Sequence, residues 1–134
     1  MQLPLQTQLD RAAADFERDW GGVDELLYGL CHRCPGHGSR RQVTAKAALI
    51  DRAYSAGLER QVIPDPGEQA ITKIAAFLVC RGGESDRILE TLSPLCEPLG
   101  SGAMAEIVGA HGRLTELLRQ IPTRGTVPRS FAAK

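Results

Sequence analysis

One stretch of the chain, residues 43–60, constrains the fold most strongly, because its apolar residues recur at helical spacing. At about 100° of rotation per residue they form two neighbouring stripes, which cover more than half of a helix surface. One stripe consists of Val43, Ala47, Ile50, Tyr54 and Leu58, and the other of Leu49, Ala53 and Ala56. A helix with so wide an apolar surface is packed on most sides. We therefore predict that residues 39 to about 61 form a central buried helix.

The sequence also indicates both ends of this helix. Ser39 is a favourable N-cap, and Gln42 three residues later completes a capping box. Pro64 disfavours helical geometry in the residue before it, so we expect the helix to end no later than Ile63.

Apolar residues on either side of this helix follow the same spacing. A first helix is indicated by Leu9, Ala13, Phe16 and Trp20. Gly21 and Gly22 are expected to end it, as glycine commonly does just past a helix, before a second helix that reaches Leu30. Later helices are predicted from Asp65-Pro66, with its end at Gly82-Gly83, then from Ser85 and from about Ser101.

No segment shows the sustained two-residue alternation of a strand, and the chain has no Asn-Gly or Asp-Gly hairpin signal. We expect an all-α fold of five to six helices in an irregular orthogonal array around the central helix, because helix lengths differ and several connections are long. Residues 1–121 are expected to form a single helical domain, and residues 122–134 an extended or loosely docked tail. In that tail, Phe131 is expected either to pack on the body or to contact a second copy in a homodimer.

The charge balance limits the classes of partner. The 134 residues carry 16 basic and 16 acidic side chains, and this neutrality argues against non-specific coating of nucleic acid. No apolar run approaches the roughly 20 residues that cross a bilayer, and the N-terminal residues lack a signal-peptide pattern. We therefore expect no membrane contact and a cytoplasmic location.

Basic residues are concentrated before and within the first turns of the central helix. Residues 26–50 contain no acidic side chain, and the glycines of the loop allow close backbone approach. Free amides at a helix N-terminus favour anions, so a phosphate, a carboxylate or an acidic protein surface would suit this place. The residues predicted to bind such a ligand or partner are Arg33, His37, Ser39, Arg40, Arg41 and Lys46.

Lys46 is unusual because it lies between the two apolar stripes. One interpretation is a side chain whose stem packs while its ammonium reaches water, which predicts that Lys46→Met leaves stability similar or higher. The other is a lysine in a semi-enclosed site, with altered protonation or an anionic ligand.

The loop also has the spacing of a metal site, with Cys31, Cys34 and His37 each three residues apart. Zinc takes four ligands, and the second close Cys or His pair that makes zinc signatures specific is missing. Zinc is thus the one cofactor the sequence suggests, and four reduced cysteines are the favoured alternative.

No arrangement of residues typical of a catalytic site can be placed, so a binding protein is favoured over an enzyme. The first hypothesis is a small regulator or inhibitor, of the kind encoded on mobile elements, that contacts another protein through the basic loop. The second is nucleic-acid or phosphate-ligand binding through the same loop, and the third is a zinc-stabilised interaction module.

Two runs carry a resemblance to a known family. They are W-G-G-V-D-E-L-L-Y-G-L-C, from Trp20 to Cys31, and V-T-A-K-A-A-L-I-D-R-A-Y-S-A-G-L-E-R, from Val43 to Arg60. With these runs the chain resembles an uncharacterised family of bacterial all-helical proteins. The closing S-F-A-A-K resembles the start of that family's next segment, which implies a shortened relative without the C-terminal part. The resemblance implies no activity and no functional residue.

Overall fold

The computed structural model describes residues 4–54, 56–96, 98–125 and 129–132, without the side chains of residues 4, 5, 20, 129 and 130. Within these ranges the chain forms seven helices and no β-strand, which confirms the predicted all-α fold. The helices are α1 (Pro4–Arg33), α2 (Arg40–Tyr54), α3 (Leu58–Gln61), α4 (Ala70–Cys80), α5 (Gly82–Glu90), α6 (Ser101–Leu118) and α7 (Arg129–Ala132). None of the helices described has both the length and the hydropathy of a membrane-spanning segment.

Helix α2 is the centre of the packing, since it contacts both α1 and α4. Val43, Ala47 and Ile50 are buried as the apolar stripe predicts. The predicted extent of this helix to about residue 61 is wrong, because α2 ends at Tyr54. Gly57 has a φ of 71°, a left-handed conformation that side chains disfavour, so the chain turns before α3 begins. Ser55 lies outside the described residues.

Helix α3 is short but firmly held. Leu58 begins it and is fully buried in the core. The Leu58 amide donates to the Asp51 carboxylate over 2.9 Å, which satisfies one of the free donors at the start of the helix. After α3, Val62 forms an isolated antiparallel bridge with Thr123. The polypeptide after α6 is therefore joined to α3 by backbone contacts.

The expected break at Gly21-Gly22 is wrong, because α1 runs through both glycines without interruption. Each glycine costs a helix roughly 0.5–1 kcal/mol relative to alanine. The apolar spacing continues past them to Leu27, which is buried in the core and offsets this cost. The side chain of Trp20, predicted for the first helix face, is outside the described part of the structure.

Two other boundaries differ from the prediction. Residues 65–68 form a turn in which Gly67 has a φ of 80°, so α4 begins at Ala70 instead of Pro66. Gly82 and Gly83 do not end α4 but lie in the first turn of α5, with only Arg81 between the two helices. Ser85 is accordingly inside α5, where its hydroxyl donates to the Gly82 carbonyl over 3.1 Å.

The C-terminal tail contacts the body where it is described. The Ile63 amide donates to the Pro122 carbonyl over 3.0 Å, and the Arg124 amide donates to the Gln61 carbonyl over 2.9 Å. Phe131 in α7 is buried in the hydrophobic core of its own chain. Residues 126–128, 133 and 134 of the predicted tail lie outside the described ranges.

A hydrogen bond between α1 and α2 makes stability depend on alkaline pH. The Tyr54 hydroxyl donates to the Asp24 carboxylate. This hydrogen bond, followed by partial burial and the nearby Tyr28, raises the pKa of Tyr54 above its ordinary value of about 10. A pKa raised by folding gives a contribution to stability that is complete below about pH 10 and is lost as pH rises through the folded-state pKa.

We therefore expect the free energy of unfolding to fall above about pH 10, and to fall less in Tyr54→Phe. Denaturant unfolding of both proteins at a series of alkaline pH values measures this difference. Equal losses in the two proteins would contradict the assignment to Tyr54.

Candidate functional site

The loop between α1 and α2 is closed over Lys46. The Lys46 ammonium donates to the carbonyl of Cys34 and, over 3.1 Å, to the carbonyl of Gly36. Only 6% of this residue is exposed, so the interpretation of an ammonium that reaches water is wrong. The stem packs among apolar residues of α2, but the charged end is held by backbone oxygens of the preceding loop. Lys46 thereby fixes the path of residues 34–36.

His37 continues this closed arrangement through a contact with α5. Its Nδ1 lies 2.6 Å from Oδ1 of Asp86, and its backbone amide donates to Oδ2 of Asp86 over 3.3 Å. Gly82 permits this approach, because a Cβ placed there would lie 3.0 Å from the His37 carbonyl oxygen. The imidazole is thus oriented from one side by a carboxylate, which leaves Nε2 as its other polar atom.

Asp86 is not predictable from the sequence as a partner of His37, because it is 49 residues away along the chain. Helical periodicity reports which side of α5 carries each residue, but it does not report which loop packs there. The local signal is the glycine pair Gly82-Gly83, which is predicted from the sequence to end α4 but lies at the start of α5.

The residues predicted to bind a ligand or partner fall into two groups. Arg33, Arg40 and Arg41 are exposed, whereas His37 and Lys46 line an internal recess. Ser39 is half-buried and belongs to neither group, because it caps α2. The Gln42 amide donates to Ser39 Oγ over 3.5 Å.

The exposed group does not form a purely basic surface. Arg40 borders a shallow depression that it shares with Asp65 and Glu68 of the turn before α4. Asp65 is in turn paired with Lys73 over 3.0 Å. A surface on which acidic and basic groups alternate is less suited to the phosphate backbone of a nucleic acid than the sequence indicates.

The predicted metal ligands are not gathered into a metal site. Cys31 lies in the last turns of α1, and Cys34 follows the end of that helix. His37 uses Nδ1 for Asp86. Across the described ranges, no three Cys, His, Asp or Glu side chains are grouped so that they could hold a metal ion. The spacing that suggested zinc is therefore not matched by the geometry, since α1 continues through Cys31.

The recess has a volume of about 370 Å³ and is lined by residues of α1, α2, α4, α5, α6 and α7 and of the loop before α2. Most of its lining is aliphatic or aromatic, and α7 forms one wall with Phe131 and Ala132. Lys46 and His37 are the basic side chains that line it. A second recess of about 390 Å³ adjoins it and shares Leu89, Leu114 and Ala132. Mostly apolar cavities with a few convergent polar groups are typical of small-molecule sites.

The outer half of α1 is a second candidate surface. Residues 6–14 and 16–19 are exposed, and Gly21 is the first buried residue among those whose burial the structure describes. Leu9 and Phe16 remain 55% and 41% exposed, respectively. At a rise of 1.5 Å per residue, this half extends about 24 Å beyond the part of α1 that contacts α2. This half therefore presents two large apolar side chains to solvent.

No protein-family model, no curated protein and no solved structure matches this chain.

Proposed function

We propose that this protein binds another protein by docking a helix of that partner onto the outer half of α1. The proposal rests on one apolar stripe, whose described members include the buried Leu27 at the inner end of α1 and the exposed Leu9, Ala13 and Phe16 at the outer end. Leu27 is 3% exposed, whereas Leu9 is 55% exposed. Steps of four and three residues alternate along the stripe, which consists of Leu9, Ala13, Phe16, Trp20, Val23, Leu27 and Leu30.

This spacing specifies the kind of surface that fits. An average step of 3.5 residues is the repeat of a coiled coil, in which the stripe faces a second helix along its length. In proteins, most of the stability of a helix comes from packing of its apolar face against other elements. The inner half of α1 obtains this packing from α2. A partner helix would supply it to the outer half.

The charges beside the stripe indicate the chemistry of that helix. Charged residues at the positions flanking the outer half of the stripe are all acidic, namely Asp10, Glu17 and Asp19. Arg18 pairs with Asp15 and Asp19 and offsets this charge only in part. A second copy of α1 would place acid beside acid in either orientation, which disfavours self-association. The proposed partner therefore carries Lys or Arg beside its own apolar stripe.

This proposal keeps the protein partner expected from the sequence, but it moves the contact surface from the basic loop to α1. It also differs from a homodimer through Phe131, whose side chain is buried within its own chain.

Two synthetic helices test the proposal, each of about three heptads with leucine along the stripe. One has lysine at the flanking positions and the other has glutamate. We expect fluorescence anisotropy to show binding of the lysine peptide and at least about tenfold weaker binding of the glutamate peptide, because only the first complements the acidic flanks. Phe16→Ser should abolish binding, because it removes a central side chain from the stripe.

Leu99→Ser is the matched control, since Leu99 is 43% exposed, much as Phe16 is, but lies outside the stripe. Equal binding of the two peptides, or equal effects of the two substitutions, would contradict the proposal. A stable homodimer that is lost in Phe16→Ser would show instead that a second copy occupies this surface.

A further inference from the structure

A second site is indicated by a cation that is enclosed without an acidic partner. Lys46 is only 6% exposed. Among the ion pairs of the described residues, none includes Lys46. Removing an ammonium from water is costly, and buried charges in proteins are normally paired. An anion is the group that this environment lacks.

The backbone contacts of Lys46 balance its charge only in part. Its two carbonyl partners, at Cys34 and Gly36, lie just past the end of α1, where the helix dipole supplies about half a negative charge. An ammonium has three N–H donors, and these carbonyls accept two of them. No other described group accepts from Lys46.

The recess that Lys46 lines has an apolar wall and few polar groups. Lys46 lines the recess of about 370 Å³, together with Val43, Ile50 and Leu78. His37, which Asp86 orients, also lines it and adds a second polar group near the loop. A molecule that fills this space would place an apolar body against aliphatic side chains and one polar head beside Lys46.

We propose that the recess binds a small carboxylate with an apolar body, with the carboxylate accepting the third hydrogen bond of the Lys46 ammonium. Charge-assisted hydrogen bonds of this kind are stronger than neutral ones, so the head group provides specificity while the body provides burial. At roughly 30 Å³ per non-hydrogen atom, the share of a water molecule in the liquid, the recess holds a ligand of about 12 such atoms. Decanoate has this size and chemistry.

Helix α7 takes part in this site because Phe131 and Ala132 form one of its walls. Leu89, which is 36% exposed, lies where the recess meets its neighbour. A bulkier side chain at that position would occupy ligand space without altering Lys46. This gives a second way of testing the site, independent of the charge.

Isothermal titration calorimetry with decanoate and with decylammonium tests the proposal on the full chain. We expect decanoate to bind at one molecule per chain, and decylammonium at least about tenfold more weakly because its charge has the wrong sign. Lys46→Met should weaken decanoate binding by at least about tenfold. Arg40→Met removes one exposed positive charge outside the recess and should leave the affinity unchanged.

Leu89→Trp should also weaken decanoate binding. If Lys46→Met fails to fold, this variant tests whether decanoate occupies the recess. Three results would overturn the proposal: no saturable heat with decanoate, equal affinity for the two ligands, or equal effects of Lys46→Met and Arg40→Met. Because none of these experiments uses the outer half of α1, their outcome is separate from that of the peptide titration.

Discussion

Replacing Leu58 with alanine is expected to lower the free energy of unfolding by about 2–5 kcal/mol, the range for truncating a fully buried leucine. Leu58 has no exposed surface, and it belongs to the core cluster that also contains Val43 and Ile74. Removing its side chain leaves a cavity and withdraws the anchor of α3. The stability of a whole domain is only about 5–15 kcal/mol, so this loss would be a large part of it.

Urea denaturation followed by circular dichroism measures the effect. Glu59→Ala is the matched control, because Glu59 is the next residue in the same short helix and is exposed. Its substitution should change stability by less than about 0.5 kcal/mol. If Leu58→Ala were no less stable than Glu59→Ala, the position of α3 in the core would be wrong.

Lys46→Met is expected to lower the free energy of unfolding by about 1–3 kcal/mol, in contrast with the neutral or favourable effect that the sequence predicts. Methionine matches the length and apolar character of the stem but cannot donate a hydrogen bond. The carbonyls of Cys34 and Gly36 would then lose the donor that joins them. The loop that positions His37 against Asp86 would lose both hydrogen bonds that Lys46 donates to it.

The same denaturation experiment should include Lys73→Met as its control. Lys73 pairs with Asp65 over 3.0 Å, but the Asp65 side chain is 73% exposed. Exposed ion pairs contribute about 0–1 kcal/mol, so this variant should lose less stability than Lys46→Met. A Lys46→Met protein as stable as the wild type would show that relief of the unpaired charge outweighs the two lost hydrogen bonds.

The sequence predicts the buried face of α2 well because that face depends on local periodicity. Val43, Ala47 and Ile50 repeat at helical spacing, and all three are buried. Glycines are less informative, because their effect depends on tertiary packing. Gly21 is compatible with an uninterrupted α1, whereas Gly57 adopts a left-handed conformation and separates α2 from α3. The presence of a glycine in the sequence therefore does not show whether a helix continues through it or ends there.

The candidate sites depend on contacts between distant segments, and this explains why the sequence identifies them only in part. Periodicity correctly placed Lys46 among apolar neighbours, but it contained no information on the carbonyls that accept its hydrogen bonds. The approach of His37 to Asp86 results from packing of a loop on α5, which no local rule describes. The continuous apolar stripe on α1 could not be predicted, because a helix end was expected at Gly21-Gly22, in the middle of that stripe.

One uninterrupted helix thus joins two regimes of local stability. Among the side chains that the structure describes, fraying of α1 before Gly21 uncovers none of the core, whereas unwinding beyond it withdraws Leu27 from the core. Segments with few buried contacts open locally at little free-energy cost, while core segments open only with the whole domain. The inner half of α1 is therefore expected to open only with the whole domain, whereas the outer half is expected to unwind locally at little free-energy cost.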